Sequence, residues 1–183
     1  MRKSLAPALA LLLALNFAAS AEDVKSGLKD GASVGAFNVK DCTGPSKGES
    51  LCYRCKYGAR PVVAVFTRTL DANVTSLIKN IDAQVGKNSD KNMKAFVVLL
   101  TDDPDAAQPK LVELAKKNKI KNVPLTIFDG QAGPPSYKLQ KGAEVTVLMW
   151  TKHEVKANHG FAKGKLDKKA VKAVAGDTRK ILE

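Results

Sequence analysis

Short apolar runs separated by helical patterns occupy the middle of this chain, and their alternation constrains the fold more than any other feature. Residues 61–66 (P-V-V-A-V-F) and 95–100 (A-F-V-V-L-L) are continuous apolar runs, the pattern of strands buried on both faces. Residues 123–128 (V-P-L-T-I-F) predict a third strand of the same kind. Strands that alternate with helices favour an α/β fold with a mainly parallel sheet, because each crossover returns the chain in the same direction.

The segments between these strands carry helical spacing and helix signals. Asp71 is placed to cap one helix, and Gly86 to end it. A second helix carries Leu111 and Leu114, and we expect Pro109 in its first turn because an interior proline breaks a helix.

The C-terminal part of the chain predicts two antiparallel strands and one more helix. Residues 145–150 and 154–158 are typical of a hairpin turned at Lys152 and His153, and a final helix begins near Asp167. The whole pattern therefore predicts a three-layer α/β/α domain with a mixed sheet.

The first residues predict export. A basic start, an apolar run over residues 5–14 and small residues before Ala21 are typical of a signal peptide, so we expect cleavage near Ala21. The apolar run is shorter than the roughly 20 residues that span a bilayer, so we do not expect a membrane protein. The predicted organisation is a signal peptide over 1–21, a flexible segment over 22–33 and one secreted or periplasmic domain over 34–183.

The chain is strongly basic. It has 30 Lys and Arg against 18 Asp and Glu, a net charge of +12. This excess suits contacts with anionic polymers of the cell envelope. Nucleic-acid binding is not expected, because the protein is predicted to leave the cytoplasm and no aromatic residues lie among the basic ones as stacking platforms.

Three cysteines lie in one long loop, over residues 41–61: Cys42, Cys52 and Cys55. In an oxidising compartment two of them should pair and one should be left over, and the sequence leaves the pairing open. Cys52 and Cys55 form a C-x-x-C motif that encloses Arg54, whose charge favours the reactive thiolate form.

Three segments resemble the thioredoxin superfamily. Residues 120–128 (I-K-N-V-P-L-T-I-F) resemble the segment that contains its cis-proline, so the resemblance implies a cis bond before Pro124 and a supporting role for that proline. Residues 154–166 resemble the last strand and the entry to the last helix. Residues 34–44 resemble the opening of peroxiredoxin-like members. The resemblance implies a thioredoxin-like fold over residues 34–182.

The reactive turn of that superfamily has no counterpart in this chain. The resemblance places the reactive cysteines at the start of the helix after the first buried strand, near Asp71 and Val74, and neither residue is a thiol. Any thiol–disulfide chemistry must then come from the C-x-x-C motif ahead of the strand. In this hypothesis Cys52 is the more exposed thiol and attacks the disulfide of a partner protein, and Cys55 or Cys42 resolves the mixed disulfide.

Two alternatives remain open from the sequence. In the first, the chain is a non-catalytic binding or scaffold module whose cysteines form a structural disulfide. In the second, it is an extracytoplasmic metal carrier that uses thiols together with His153 or His159. Neither the redox hypothesis nor the first alternative requires a cofactor or a metal.

Overall fold

The structure is a computed structural model that describes residues 24–183, so the predicted signal peptide lies outside the described residues. Seven strands are present in the described part, namely β1 (Val39–Asp41), β2 (Ser50–Leu51), β3 (Val62–Thr67), β4 (Lys94–Thr101), β5 (Leu125–Asp129), β6 (Val145–Thr151) and β7 (Glu154–Phe161). The α-helices are α1 (Tyr53–Tyr57), α2 (Ala72–Lys87), α3 (Pro104–Asn118) and α4 (Lys168–Asp177), and two short 3-10 helices span Pro135–Tyr137 and Thr178–Ile181.

All seven strands form one mixed sheet in the order β2-β1-β5-β4-β3-β6-β7. Strands β3, β4 and β5 are parallel, and their carboxyl ends meet at one edge of the sheet. Strands β6 and β1 run antiparallel to this central group, on its two sides. The mixed α/β sheet predicted from the alternating pattern is confirmed.

The two faces of the sheet are covered unequally. Helices α2, α3 and α4 cover one face. The first two lie on the same side because the crossovers from β3 to β4 and from β4 to β5 move across the sheet in the same direction. The other face is covered by α1, the 3-10 helix at Pro135–Tyr137 and the N-terminal segment. Its core is aromatic and includes Phe66, Phe96 and Trp150. We call these the helical face and the aromatic face.

Several local signals act as predicted. Asp71 caps α2 by accepting a hydrogen bond from the Val74 amide at 2.8 Å. Asp167 caps α4 in the same way. The hairpin between β6 and β7 turns at Lys152 and His153, which both have positive φ.

The position of Pro109 is a correction. It lies inside α3 and not in the first turn. The helix begins earlier because Asp103 accepts a hydrogen bond from the Ala106 amide at 3.0 Å. Pro104 then occupies the first turn, where the absence of an amide hydrogen has no cost. The ring of Pro109 is on the exposed side of the helix.

The N-terminal segment lies against the sheet. The sequence predicts a flexible segment over 22–33, and its described residues, 24–33, form hydrogen bonds with β7. The Val24 amide donates to the Gly160 carbonyl at 3.1 Å, and the Gly31 amide to the Val155 carbonyl at 2.9 Å. Ser26 is buried and its hydroxyl bonds to that of Thr146 at 2.7 Å. Polar side chains in this segment find partners on the sheet, which composition alone does not show.

Within residues 24–183, no helix combines the length and the apolar character needed to cross a membrane.

Candidate functional site

The C-x-x-C motif forms an intact disulfide at the start of α1. The sulfur atoms of Cys52 and Cys55 are 2.11 Å apart and their Cα atoms 5.2 Å apart. Cys55 is exposed, whereas Cys52 is half-buried. The expectation that Cys52 is the more accessible of the two is therefore wrong, because the turn into α1 directs Cys55 to the surface.

Although Cys52 is less exposed than Cys55, its sulfur receives a hydrogen bond. Cys52 is the N-cap residue of α1, and its sulfur accepts a hydrogen bond from the Cys55 amide at 3.1 Å. An N–H directed at sulfur stabilises negative charge there, so the same contact favours a Cys52 thiolate once the disulfide opens. Cys55 is thus the accessible cysteine of the pair, and Cys52 is the one whose sulfur receives a hydrogen bond.

Two tyrosines attach α1 to the aromatic face. Tyr53 and Tyr57 are both buried, with ring centroids 5.1 Å apart. The Tyr53 ring stacks on Phe96 at 5.5 Å. Because these contacts do not involve sulfur, α1 has its own attachment to the core.

A buried carboxylate supports this attachment. Asp41 accepts hydrogen bonds from the amides of Thr43, Gly44 and Ser46, and from the Tyr53 hydroxyl at 2.8 Å. Burial raises the pKa of Tyr53 well above its usual range, and the hydrogen bond to Asp41 raises it further. The tyrosine therefore stays protonated and donates to Asp41.

Gly44 is needed for this arrangement. A Cβ at this position would lie 2.5 Å from the Tyr53 hydroxyl and 2.8 Å from Pro124 Cβ. Sequence reasoning missed Asp41, Tyr53 and Gly44 as parts of the site. The signal that was present is residues 41–46 (D-C-T-G-P-S), a pattern typical of a turn closed by an aspartate side chain.

Cys42 is separated from the disulfide. It is fully buried and packs on the helical face, whereas α1 packs on the aromatic face. Burial raises the pKa of its thiol to about 11, and the charge of neighbouring Asp41 adds to the effect. Asp41 bonds to Tyr53 of α1 on the aromatic face, and the next residue, Cys42, points to the helical face, because consecutive residues of an extended segment face opposite sides of a sheet. The structure therefore does not bring Cys42 together with Cys52 and Cys55.

Two basic side chains flank the disulfide. Arg54 Nε donates to the Val34 carbonyl at 3.1 Å. Lys56 Nζ donates to the Ser46 hydroxyl at 3.1 Å and lies 5.9 Å from the centre of the Tyr53 ring. Arg54 thus joins α1 to the N-terminal segment, and Lys56 joins it to the loop after Asp41.

The ligands that the metal-carrier alternative requires are also apart. His159 Nε2 lies 3.2 Å from the Asp177 carboxylate, and His153 is at the hairpin turn. Cys42 is on the helical face, and the other two thiols are joined to each other. Within residues 24–183, no group of three or more His, Cys, Asp or Glu side chains is arranged to bind a metal.

No family model matches this chain, and no curated protein matches it in sequence. Solved structures do. A DsbF homologue from Corynebacterium diphtheriae aligns with a TM-score of 0.58 and 15% identity, over 80% of this chain and 87% of that one. Peroxidoxin BcpB from Mycobacterium tuberculosis aligns with a TM-score of 0.55 and 16% identity, over 81% and 97%. The bacterioferritin comigratory protein of Xanthomonas campestris aligns with a TM-score of 0.57 and 10% identity, over 80% and 92%.

This chain has a thioredoxin-like fold. The likeness to these three structures covers 80 to 81% of this chain, and the fold that the resemblance implied is confirmed.

The reactive turn of the thioredoxin-like fold has no thiol in this chain. The turn after β3 contains Arg68, which donates through Nε to the Gln131 carbonyl at 3.1 Å and through Nη1 to the Ala143 carbonyl. Asp71 then begins α2. This turn follows the carboxyl end of β3, whereas α1 and its disulfide precede the amino end. The disulfide is therefore at the opposite end of the sheet from the usual position.

Pro124 does not have the role that the thioredoxin-like resemblance implied. No peptide bond within residues 24–183 is cis, so the expected cis bond before Pro124 is a wrong prediction. Pro124 lies at the amino end of β5, and its carbonyl accepts the Val97 amide at 2.9 Å. Its ring adjoins Gly44, beneath α1, and is remote from the start of α2.

Proposed function

We propose that this chain is an exported thiol–disulfide exchange protein whose reacting pair is Cys52 and Cys55. The observation that carries this proposal is the exposed disulfide at the start of a helix that is attached to the core independently of its sulfur atoms. The Cys52–Cys55 bond can therefore be reduced and re-formed without unfolding of α1. The predicted signal peptide supports an extracytoplasmic location, where partner disulfides occur.

The two cysteines take different parts in this exchange. A partner thiolate attacks the exposed sulfur of Cys55, a bond forms between them, and the Cys52–Cys55 bond breaks. Its electron pair leaves on Cys52, whose thiolate is stabilised by the Cys55 amide. A second partner thiolate then attacks the partner sulfur of the mixed disulfide and expels Cys55. The partner is oxidised to a disulfide and this chain is reduced by two electrons.

In the opposite direction, reduced Cys55 attacks a partner disulfide and Cys52 resolves the intermediate. These assignments exchange the two roles expected from the sequence. Cys42 takes no part in either direction, because it is buried on the other face.

A purely structural disulfide is less well supported. A bond that closes a loop of about four residues stabilises the folded state by about 2 kcal/mol, against about 3 kcal/mol for 15 residues. The contacts of Tyr53 and Tyr57 already position α1. The names of the matched structures, a DsbF homologue and a peroxidoxin, belong to those proteins and support a redox proposal for this one.

The proposal is tested by the redox behaviour of the purified protein. In glutathione buffers of graded potential, we expect the Cys52–Cys55 bond to open and re-form reversibly, as followed by mass spectrometry after thiol alkylation. Catalysed reduction of a protein disulfide should be lost in Cys52→Ser and Cys55→Ser. Only Cys52→Ser should accumulate a stable mixed disulfide, because its remaining thiol is the exposed one.

Cys42→Ala is the matched control, and it should keep the turnover of the native protein. A bond that resists reduction until the chain unfolds, without turnover, would establish the structural alternative. Mixed disulfides that accumulate on Cys52 in Cys55→Ser, and not on Cys55 in Cys52→Ser, would reverse the assignment of roles.

A further inference from the structure

A basic cleft lies beside the disulfide, at the amino ends of the parallel strands. It has a volume of about 520 Å³ and begins at Lys56, the residue after Cys55. Arg60, Lys94 and Lys121 also line it. They come from three separate parts of the chain, the segment after α1, the start of β4 and the loop before β5. We call this the basic cleft.

The positive charge of the basic cleft is not neutralised by side chains within it. No Asp or Glu is among the described residues that line it. None of its four basic side chains forms an ion pair with an acidic side chain of residues 24–183. A cleft lined by four cations and no anion attracts negative charge.

Two carboxylates bond to residues that line the cleft, and both are occupied by hydrogen-bond donors. Asp41 is occupied by three amides and the Tyr53 hydroxyl. Asp82 Oδ1 accepts the amides of Lys121, Asn122 and Val123 at 2.7 to 3.1 Å. These bonds hold the loop that contains Lys121.

The size and walls of the basic cleft fit a short piece of polypeptide. Its volume is within the range of about 300–1,000 Å³ that ligand sites occupy. Pro45, Ile120 and Pro124 provide apolar surface, and Asn92 and Asn122 add polar groups. This combination suits acidic side chains with their methylene groups better than an isolated ion.

We infer that the basic cleft binds acidic residues that flank the reacting cysteine of a partner polypeptide. The inference rests on the proposed function and names the substrate class of the same site. Lys56, the residue after Cys55, lines the cleft, so the residues that flank a partner sulfur bonded to Cys55 are within reach of its basic side chains. Attraction between the basic cleft and acidic residues of a partner increases mainly the rate of encounter. It acts within a Debye length of about 8 Å at physiological salt.

Three synthetic peptides test the inference, each with one cysteine flanked by two Asp, two Ser or two Lys residues. The measured quantity is the second-order rate of reduction of the Cys52–Cys55 bond. Each rate is divided by the rate at which the same peptide reduces a small neutral disulfide. This correction removes differences in intrinsic thiol reactivity between the peptides. At low salt we expect the Asp peptide to react at least tenfold faster than the Lys peptide, with the ratio falling towards one in 0.5 M salt.

The double variant Lys94→Glu, Lys121→Glu should reverse this preference without preventing reduction by the Ser peptide. The matched control is Lys168→Glu, Lys169→Glu, which makes the same change in net charge near the other end of the sheet and should keep the preference of the native protein. If the double variant unfolds, Lys121→Gln is a milder replacement, because Lys121 is exposed. It should lower the ratio of the Asp-peptide rate to the Lys-peptide rate at least twofold.

The outcomes separate the inference from the proposed function. Equal corrected rates for the three peptides would overturn the inference while leaving exchange at Cys55 intact. Equal loss of preference in the control variant would also overturn it, because net charge alone would then explain the effect. If no peptide reduces the bond in the folded protein, the proposed function fails first.

Discussion

Asp41, the last residue of β1, and Cys42, the residue that follows it, lie in different surroundings. Asp41 faces the aromatic side and accepts four hydrogen bonds beneath α1, whereas Cys42 faces the helical side and packs among apolar residues. Both are fully buried. The alternation of side chains along an extended segment separates the chemistry of the two residues.

Replacing Tyr53 by Phe should show how far Asp41 stabilises the site. The change leaves a buried carboxylate without one donor, and we expect a loss of about 2 kcal/mol in the free energy of unfolding. Urea denaturation measures it. Tyr57→Phe is the control, since its hydroxyl makes only a 3.4 Å contact with the Ala95 carbonyl, and it should lose less than about 1 kcal/mol. Equal losses would show that Asp41 contributes nothing special.

Cys42 should make stability depend on alkaline pH. Its pKa is raised from 9.0 to about 11 in the folded protein, so the unfolded thiol ionises first as the pH rises. Its contribution is complete below about pH 9 and declines through pH 11, by about 2 kcal/mol in all. The difference in unfolding free energy between native protein and Cys42→Ala should therefore narrow over this interval. A constant difference would contradict the raised pKa.

Helix α3 contains a proline in its interior, a position where proline normally breaks a helix. Its capping by Asp103 and the position of Pro104 set the start, and Pro109 falls inside the helix on the exposed side. The packing of Leu111 against the sheet compensates for the hydrogen bond that Pro109 cannot donate.

Pro109→Ala should therefore stabilise the protein. The change restores one backbone donor and a good helix former, and we expect a gain of about 1 kcal/mol in the free energy of unfolding. Pro104→Ala is the control and should be close to neutral, because the first turn needs no donor there. Thermal and urea denaturation give both values. A loss of stability in Pro109→Ala would show that the helix depends on the proline ring.

At the scale of the whole molecule, the N-terminal segment closes the sheet along β7. A Cβ on Gly160 would lie 2.0 Å from the Val24 carbonyl oxygen, so the close approach of the two backbones requires glycine. The segment also lies against the aromatic face, where Leu28 and Val34 are buried.

Gly160→Ala should release the start of this segment. We expect trypsin to cleave after Lys25 and Lys29 at least tenfold faster than in the native protein, while the remainder of the domain stays resistant. Gly142→Ala is the matched control, because a Cβ there meets no atom within 4 Å. Identical cleavage rates in the two variants would show that Gly160 does not hold the segment in place.

Local signals carried most of the fold prediction. Apolar runs, the capping residues Asp71 and Asp167 and the turn at Lys152 and His153 all act over a few neighbouring residues, so they can be recognised along the chain. The sequence alone therefore determined the main strands and helices from β3 onwards, the mixed α/β architecture and the C-x-x-C motif. It did not show β2 and α1, which lie inside the segment 41–61 that it predicts as a loop.

Only the tertiary structure decided where the chemistry lies. Strand pairing placed Pro124 beneath α1 and put Cys42 on the opposite face from the disulfide. It also gathered Lys56, Lys94 and other distant basic residues into one cleft. Each of these facts depends on which strand adjoins which and on which face a residue points to. Such contacts join residues far apart in the chain, so no local pattern records them.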